Sequence, residues 1–327
     1  MAVITATTNN TPNYTLGIDI GSTTVKAIAL DAGTDDILYS EYRRHEAKQA
    51  HAVAQLLGNV KEQFPNCEIR CALTGSGAAP MAQALGVFYV QEVVANAIAV
   101  GKLFPSARTA IELGGQDAKM IFFKPNTGSG ALEVADTRMN GSCAGGTGAF
   151  IDEVASILKV PIEEFDAMAA QGTCVYDISG RCGVYAKTDI QPLLNQGART
   201  GDVAASIYKA VVNQTIAGLA QGRPIQGNVL YLGGPLTFSS CLRKDFDKTL
   251  GVTGTCPENS LLFVALGAAY YADTAFSLSN VADRVASRSA QGDYASQPPL
   301  FRTQEEYEAF HARHLKASVP HVPFGAD

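Results

Sequence analysis

Two cysteines stand among small residues that leave room for something bulky beside the sulfur. Cys143 lies in Asn140-Gly141-Ser142-Cys143-Ala144-Gly145-Gly146-Thr147-Gly148, and Cys182 in Gly180-Arg181-Cys182-Gly183-Val184-Tyr185-Ala186-Lys187-Thr188-Asp189. Upstream, two glycine turns follow apolar runs: Asp19-Ile20-Gly21-Ser22-Thr23-Thr24-Val25-Lys26 and Glu112-Leu113-Gly114-Gly115-Gln116-Asp117-Ala118-Lys119. Backbone N–H groups in such turns, with the hydroxyls of Ser22, Thr23 and Thr24, can cradle phosphate oxygens. Phosphate turns together with glycine-flanked thiols suggest ATP hydrolysis coupled to electron transfer.

In the first turn Gly21 permits unusual backbone angles, Lys26 follows as a candidate nucleotide contact, and Asp19 can hold Mg²⁺ through water. In the second, Gly114 and Gly115 allow close phosphate approach, and Gln116 or Asp117 can orient water or metal. Asp19, Gln116 and Asp117 are therefore the candidate catalytic residues. A third turn, Gly233-Gly234-Pro235, would let adenine or ribose lie against bare backbone. Each turn alone reads equally as a structural turn without ligand, but three of them at strand ends favour a nucleotide. There is no GxxxxGK[ST] loop and no dinucleotide fingerprint.

A helix N-terminus favours a thiolate through its dipole and free N–H groups, and Cys143 precedes an expected helix. Buried free thiols and nucleophiles are the alternatives for Cys143 and Cys182; the lack of a neighbouring His weakens the nucleophile. If both bound iron–sulfur, a 4Fe–4S cluster would need four thiolates, and a two-fold dimer supplies two plus two. Cys67 and Cys71 are rival ligands, but their spacing runs along an expected strand and reads as core or surface thiols.

The chain has 327 residues, 46% of them hydrophobic, enough for one large or two medium cores. Net charge is −6 with no basic stripe, which argues against nucleic acid. No apolar run approaches the roughly 20 residues of a membrane span. Met1 to Asn13 lacks a signal peptide's charged start and apolar core, so the expected location is cytoplasmic. Seven cysteines without a CxxC pair fit neither a disulfide framework nor a zinc ribbon.

The elements that must hold these turns are legible as short apolar runs. Tyr14 to Ile20, Val25 to Leu30 and Ile37 to Tyr42 predict three strands with an antiparallel start, and Ala47 to Phe64 an amphipathic helix. Cys67 to Leu73 reads as a strand and Val90 to Phe104 as a helix. A second unit opens near Ala107 with the same order of strand, acidic glycine turn, strand, strand, the pattern of an internal duplication. Helices are expected over Ala144 to Lys159, from Pro161, over Asp202 to Gln221 and over Leu261 to Ala272, with a strand at Asn228 to Leu232. The implied division is 1–106, 107–275 and a tail, 276–327, poor in core-forming residues but with a polar helix at Gln304 to Ala317.

These stretches resemble the ATP-dependent activators of 2-hydroxyacyl-CoA dehydratases, a family that includes benzoyl-CoA reductase ATPase subunits and reductases of double-cubane cluster proteins. The shared residues are Gly17-Ile18-Asp19-Ile20-Gly21-Ser22-Thr23-Thr24, Gly114-Gly115-Gln116-Asp117, Cys143-Ala144-Gly145-Gly146-Thr147-Gly148 and Cys182-Gly183-Val184-Tyr185-Ala186-Lys187. The resemblance implies an α/β, actin-like ATPase fold, the duplicated ribonuclease H-like lobes of actin, heat-shock ATPases and sugar or acetate kinases. It also implies ATP/ADP and Mg²⁺ between the lobes and one 4Fe–4S cluster per homodimer, held at Cys143 and Cys182. An iron–sulfur dehydratase or reductase component would accept the electron, and reduced ferredoxin or flavodoxin would donate it. The family's usual Cys-Ala-Ala-Gly-Thr-Gly has Gly145 here in place of an alanine, a change expected only to add flexibility. The tail also resembles the continuation seen in long fused activators, of which this chain would be the first module. Two other functions stay open: a small-molecule kinase with Asp189 or Asp117 as base, and a non-enzymatic ATP-binding scaffold.

Overall fold

The computed structural model describes residues 14–65, 67–140, 145–278, 283–285 and 300–315, with the backbone alone at Phe276. The chain divides into two compact units, Met1–Ala290 and Gln291–Asp327. The second unit contributes a helix, Gln304–Leu315, whose described residues are almost all exposed. No helix among the described residues is long and apolar enough to cross a membrane.

The first unit is built on two sheets with one shared plan. In the first sheet β1 (Tyr14–Ile20), β2 (Thr24–Asp31) and β3 (Ile37–Arg44) form an antiparallel meander. β4 (Glu68–Thr74) lies parallel to β1 on its other side. In the second sheet β6 (Ala107–Leu113), β7 (Ala118–Pro125) and β8 (Leu132–Met139) repeat the meander, and β9 (Asn228–Leu232) lies parallel to β6. The orders β4-β1-β2-β3 and β9-β6-β7-β8 match. β5 (Phe88–Tyr89) and β10 (Ala275–Ser277) extend the first sheet beside β4. The duplication expected from the glycine turns is thus present in the pairing itself.

Central strands are apolar because both faces are covered. On β1, Leu16, Ile18 and Ile20 face α1 (Gln49–Gln63), joining Val53, Leu56, Leu57 and Val60 in one core. Full burial of each such side chain contributes on the order of 1.5–3 kcal/mol. In the second sheet, Ile111, Leu113 and Met120 pack with Phe150, Val154 and Ile151 of α4 (Gly148–Leu158). The same core takes in α5 (Ile162–Ala169), α6 (Gly183–Asn195), α7 (Thr200–Thr215) and α9 (Ser240–Leu250); a short α8, Gly234–Phe238, precedes α9.

Several boundaries differ from the sequence reading. The helix expected from Ala144 begins at Gly148, because Gly146 takes a left-handed φ of 77° and breaks any earlier turn. The long helix after Asp202 ends at Thr215 and widens into a π-turn, Ile216–Ala220, closed by left-handed Gln221. Helices α2 (Ala78–Leu85), α8 and α9 were not expected, whereas α6 starts directly after Cys182, where the family resemblance implied a helix. Ser277 and Leu278, read as the start of the tail, return to the first sheet: Ser277 pairs with Glu68, and Leu278 and Val285 join the β1 core.

The two sheets meet through two helices. α3 (Glu92–Leu103) packs Ala99 and Val100 against the second sheet, and α10 (Phe263–Tyr271) lies on the first. A methyl at Gly267 of α10 would lie 1.7 Å from the Ala95 carbonyl oxygen of α3, and one at Gly17 would lie 1.9 Å from the Ala265 carbonyl oxygen. Backbone therefore touches backbone from β1 through α10 to α3. Gly267→Ala is expected to cost about 1–3 kcal/mol of unfolding free energy through overpacking. Gly58→Ala on α1, where nothing lies within 4 Å of the new methyl, should be neutral or stabilising by up to about 1 kcal/mol. Urea denaturation of both variants checks the contrast.

Candidate nucleotide and cysteine site

The two glycine hairpins face one another across a cleft of about 440 Å³. Thr23, Thr24 and Lys26 line it from the first, Gly114 and Gly115 from the second, and Gly233, Gly234 and Pro235 from the start of α8. The hairpins have equal loops: Ile20 pairs with Val25 and Leu113 with Ala118, and Gly21 N–H and Gly114 N–H donate to the carbonyls of Thr24 (2.9 Å) and Asp117 (2.8 Å). They also touch, since a methyl at Gly115 would lie 2.0 Å from Thr23 Oγ1. Ile151, Ile162 and Phe238 also line the cleft, as do Glu163 and Asp166.

Not every expected residue reaches the cleft wall. Asp19, Gly21, Ser22, Gln116 and Asp117 are absent from the lining. Gly21 is not among the residues with positive φ, so its value is not an unusual backbone angle. Its carbonyl is instead engaged by Gln49 Nε2 at 3.0 Å and lies 3.1 Å from His45 Nε2. Gln116 is exposed, and Asp117 turns to Lys119. Asp189, the candidate kinase base, accepts the Ser179 N–H at 2.8 Å and so holds the chain ahead of Cys182.

Beneath the turns lies a network of charges. Asp19 faces Lys26 across β1 and β2, 2.7 Å from oxygen to Nζ, and Glu112 faces Lys119 in the same register across β6 and β7. Lys119, 3% exposed, also pairs with Asp117 and with Glu92 at the start of α3, while Glu112 lies 3.9 Å away and accepts Asn96 Nδ2 at 2.8 Å. Burial works against the Lys26 and Lys119 ammonium groups, but the carboxylates outweigh it and keep both above the usual lysine range. Burial pushes Glu112 up, and pushes the Glu92 carboxyl up to about 7 despite Lys119.

Four carboxylates and two ammonium groups make up this network. Among the described residues no three His, Cys, Asp or Glu side chains converge as a metal cage. The donor set thus fits Mg²⁺ held mainly by phosphate oxygens and water, as that ion prefers.

The repeated spacing of acid and lysine seven residues apart, Asp19/Lys26 and Glu112/Lys119, was a legible signal for two of the residues the sequence reading passed over, Glu112 and Lys119. Nothing local marks Glu92 or Asn96; α3 brings them there by packing.

The second hairpin is bonded to the helix that follows Cys143. Gly148 and Ala149, whose N–H groups have no acceptor within α4, donate to the carbonyls of Gly114 (2.9 Å) and Gly115 (2.7 Å). Cys143 lies outside the described residues. Cys182 is half-buried and is the N-cap of the 13-residue α6, with extended backbone at φ −148°. The two cysteine segments meet at Gly145, where a methyl would lie 2.2 Å from the Arg181 carbonyl oxygen. Gly145 is therefore more than a source of flexibility: this contact has no room for alanine. Cys71 is fully buried on β4 and Cys67 is 5% exposed, and burial pushes both thiols up, which disfavours the thiolate a metal would need.

Ties also cross the cleft mouth. Arg44 of β3 pairs with Asp152 of α4 at 2.9 Å, and the Tyr42 ring meets Phe238 at 6.1 Å.

The sequence model of the BadF/BadG/BcrA/BcrD ATPase family matches residues 16–272. The chain belongs to that family. It is an ATPase with an actin-like α/β fold. It is 30% identical over 261 residues to the (R)-2-hydroxyglutaryl-CoA dehydratase activating ATPase of Acidaminococcus fermentans, covering 79% of this chain and 96% of that one. Among solved structures, component A of the same Acidaminococcus dehydratase is similar with a TM-score of 0.68 and 28% identity, over 82% of this chain and 99% of that one. The 2-hydroxyisocaproyl-CoA dehydratase activator from Clostridium difficile, solved with bound ADPNP, gives 0.67 and 26% over 87% and 100%.

Burial keeps the Glu92 carboxyl protonated to higher pH than an exposed one. A carboxyl that holds its proton more tightly when folded stabilises the protein at low pH, and that contribution is lost as pH rises from about 4.5 through about 7. The thermal midpoint of the nucleotide-free protein should fall across this window more steeply than that of Glu92→Gln, as differential scanning fluorimetry would show.

Proposed function

We propose that this chain is a reductive activator: an ATPase that delivers one electron at a time to an iron–sulfur dehydratase or reductase component. The observation that carries the reading is the direct hydrogen bonding of Gly148 and Ala149 to Gly114 and Gly115. It makes the phosphate turn and the start of the helix after Cys143 a single piece.

In this reading ATP lies in the cleft with its phosphates between Thr23, Thr24 and Lys26 on one side and Gly114 and Gly115 on the other. Its adenosine extends toward Gly233–Pro235, Ile162 and Phe238. Asp19 and Asp117 orient water around the cation, and Gln116 reaches the phosphate end only when the cleft closes. Loss of the terminal phosphate then changes how the second turn is held, as any two-state switch driven by differential binding requires.

The residues that would hold a 4Fe–4S cluster are Cys143 and Cys182, two from each subunit of a homodimer. The half-buried cap position of Cys182 and the Gly145–Arg181 contact beside it fit such a group. When bound, the cluster supplies the one-electron reductant. Exposed apolar side chains near Cys182, Val184 (67%) and Tyr185 (66%), suit burial against a second copy. Reduced ferredoxin or flavodoxin serves as electron source. Lowering a potential by about 300 mV demands roughly 7 kcal/mol per electron, a scale that ATP turnover meets and a few hydrogen bonds do not.

Protein purified without oxygen should be brown, with about four irons per dimer, the ligand count of one such cluster. Cys182→Ser should lose the visible absorbance while its ATP affinity stays within about threefold, a change under 1 kcal/mol. Wild-type protein that stays colourless after anaerobic reconstitution, yet hydrolyses ATP, would contradict the electron-transfer part.

A further inference from the structure

Three carboxylates converge on the Lys119 ammonium, and one of them comes from neither glycine hairpin nor its strands. Asp117 belongs to the second turn and Glu112 to β6, but Glu92 is the first residue of α3. The matching lysine of the first hairpin, Lys26, has Asp19 alone as its ion-pair partner among the described residues. The extra acid therefore breaks the symmetry of the duplicated fold on the side that carries the cysteines.

Its place on α3 gives the break a consequence. Three residues on, the Ala95 carbonyl presses against Gly267 of α10, and α10 lies on Gly17 of β1, two residues before Asp19. The next residue, Asn96, donates to Glu112. Asn96 Oδ1 is buried and finds no partner among the described residues. An unsatisfied buried acceptor of this kind is uncommon and marks a network with an arrangement still to gain.

We propose that Glu92 is a positioning residue that passes the state of Asp117 in the second glycine turn, through Lys119, to the α3–α10 contact between the two sheets. When Asp117 turns from Lys119 toward a hydrated cation on the nucleotide, Glu92 takes a larger share of the ammonium. The N-terminus of α3 is drawn to the second sheet, and its backbone contact with α10 carries the shift to the first. Glu92 touches no reacting atom; it determines how closure answers to the phosphate. This rests on the nucleotide reading above.

The test is Glu92→Gln, which keeps the shape and removes the charge. It is studied as purified full-length protein, with ATP, ADP and a non-hydrolysable ATP analogue as probes. ATP affinity should stay within about threefold while kcat falls at least tenfold. The change in radius of gyration between the ADP and analogue forms, measured by X-ray scattering, should disappear. A double-mutant cycle with Asp117→Asn should be strongly non-additive in kcat, because both act through one ammonium.

A variant that keeps kcat and the scattering change, or loses affinity and kcat together with the scattering change intact, overturns the proposal. So does additivity in the cycle. If Glu92→Gln does not fold, Asp117→Asn alone must abolish the scattering change, and its persistence overturns the proposal. Wild-type protein that binds no ATP would sink the nucleotide reading first and this one with it, whereas normal wild-type turnover beside a normal variant sinks this one alone.

Discussion

The structure depends on two carbonyl groups. Those of Gly114 and Gly115 face α4 and accept its first free amides, so the turn that lines the cleft also caps the helix following Cys143. Helix amides left without acceptors must find them somewhere. In this chain the place they find is the second glycine turn, on the cleft wall. Movement of that turn cannot leave α4 behind without exposing those N–H groups. Gly145 extends the same constraint to the other cysteine, because its closeness to the Arg181 carbonyl ties the chain before α4 to the chain before α6.

Around that connection the two halves of the duplication have diverged. Both keep the four-residue glycine turn and the acid–lysine pair beneath it. The first half adds an anchor for its turn, with Gln49 holding the Gly21 carbonyl. The second adds acids, leaving Lys119 shared among Asp117, Glu112 and Glu92. The first turn is anchored by Gln49, the second by the α4 amides and by a shared charge. That asymmetry suits a device in which one side carries the moving part.

Much of this was legible in the residues. Apolar runs ending in glycine marked the central strands, because strands covered on both faces leave few polar positions; Asn228–Leu232 fell where expected. The glycine turns were legible for the same local reason, and residues of all three line one cleft. Some helices escaped notice despite boundary residues: α9 has Ser239 at its N-cap and left-handed Gly251 after its last turn, and α2 ends on left-handed Gly86. α6 starts at Cys182-Gly183 without a Ser, Thr, Asp or Asn cap and carries Pro192 inside, so only the family resemblance implied it. Glu92 and Asn96 escaped because tertiary packing of α3, not sequence spacing, brings them under the second turn. Gly145 was visible as a departure, but its reason lay in the Arg181 backbone, which no single segment reveals.

The central claim is that the nucleotide is read by the same hydrogen bonds that hold the start of α4. Amide hydrogen exchange at Gly148 and Ala149, and at Gly183 and Val184 after Cys182, measures it most directly in the nucleotide-free, ADP and non-hydrolysable ATP forms. The account predicts that both segments change protection together when the terminal phosphate is present, and revert with ADP. Exchange at both segments that ignores the nucleotide, while ATP is demonstrably bound, would contradict it.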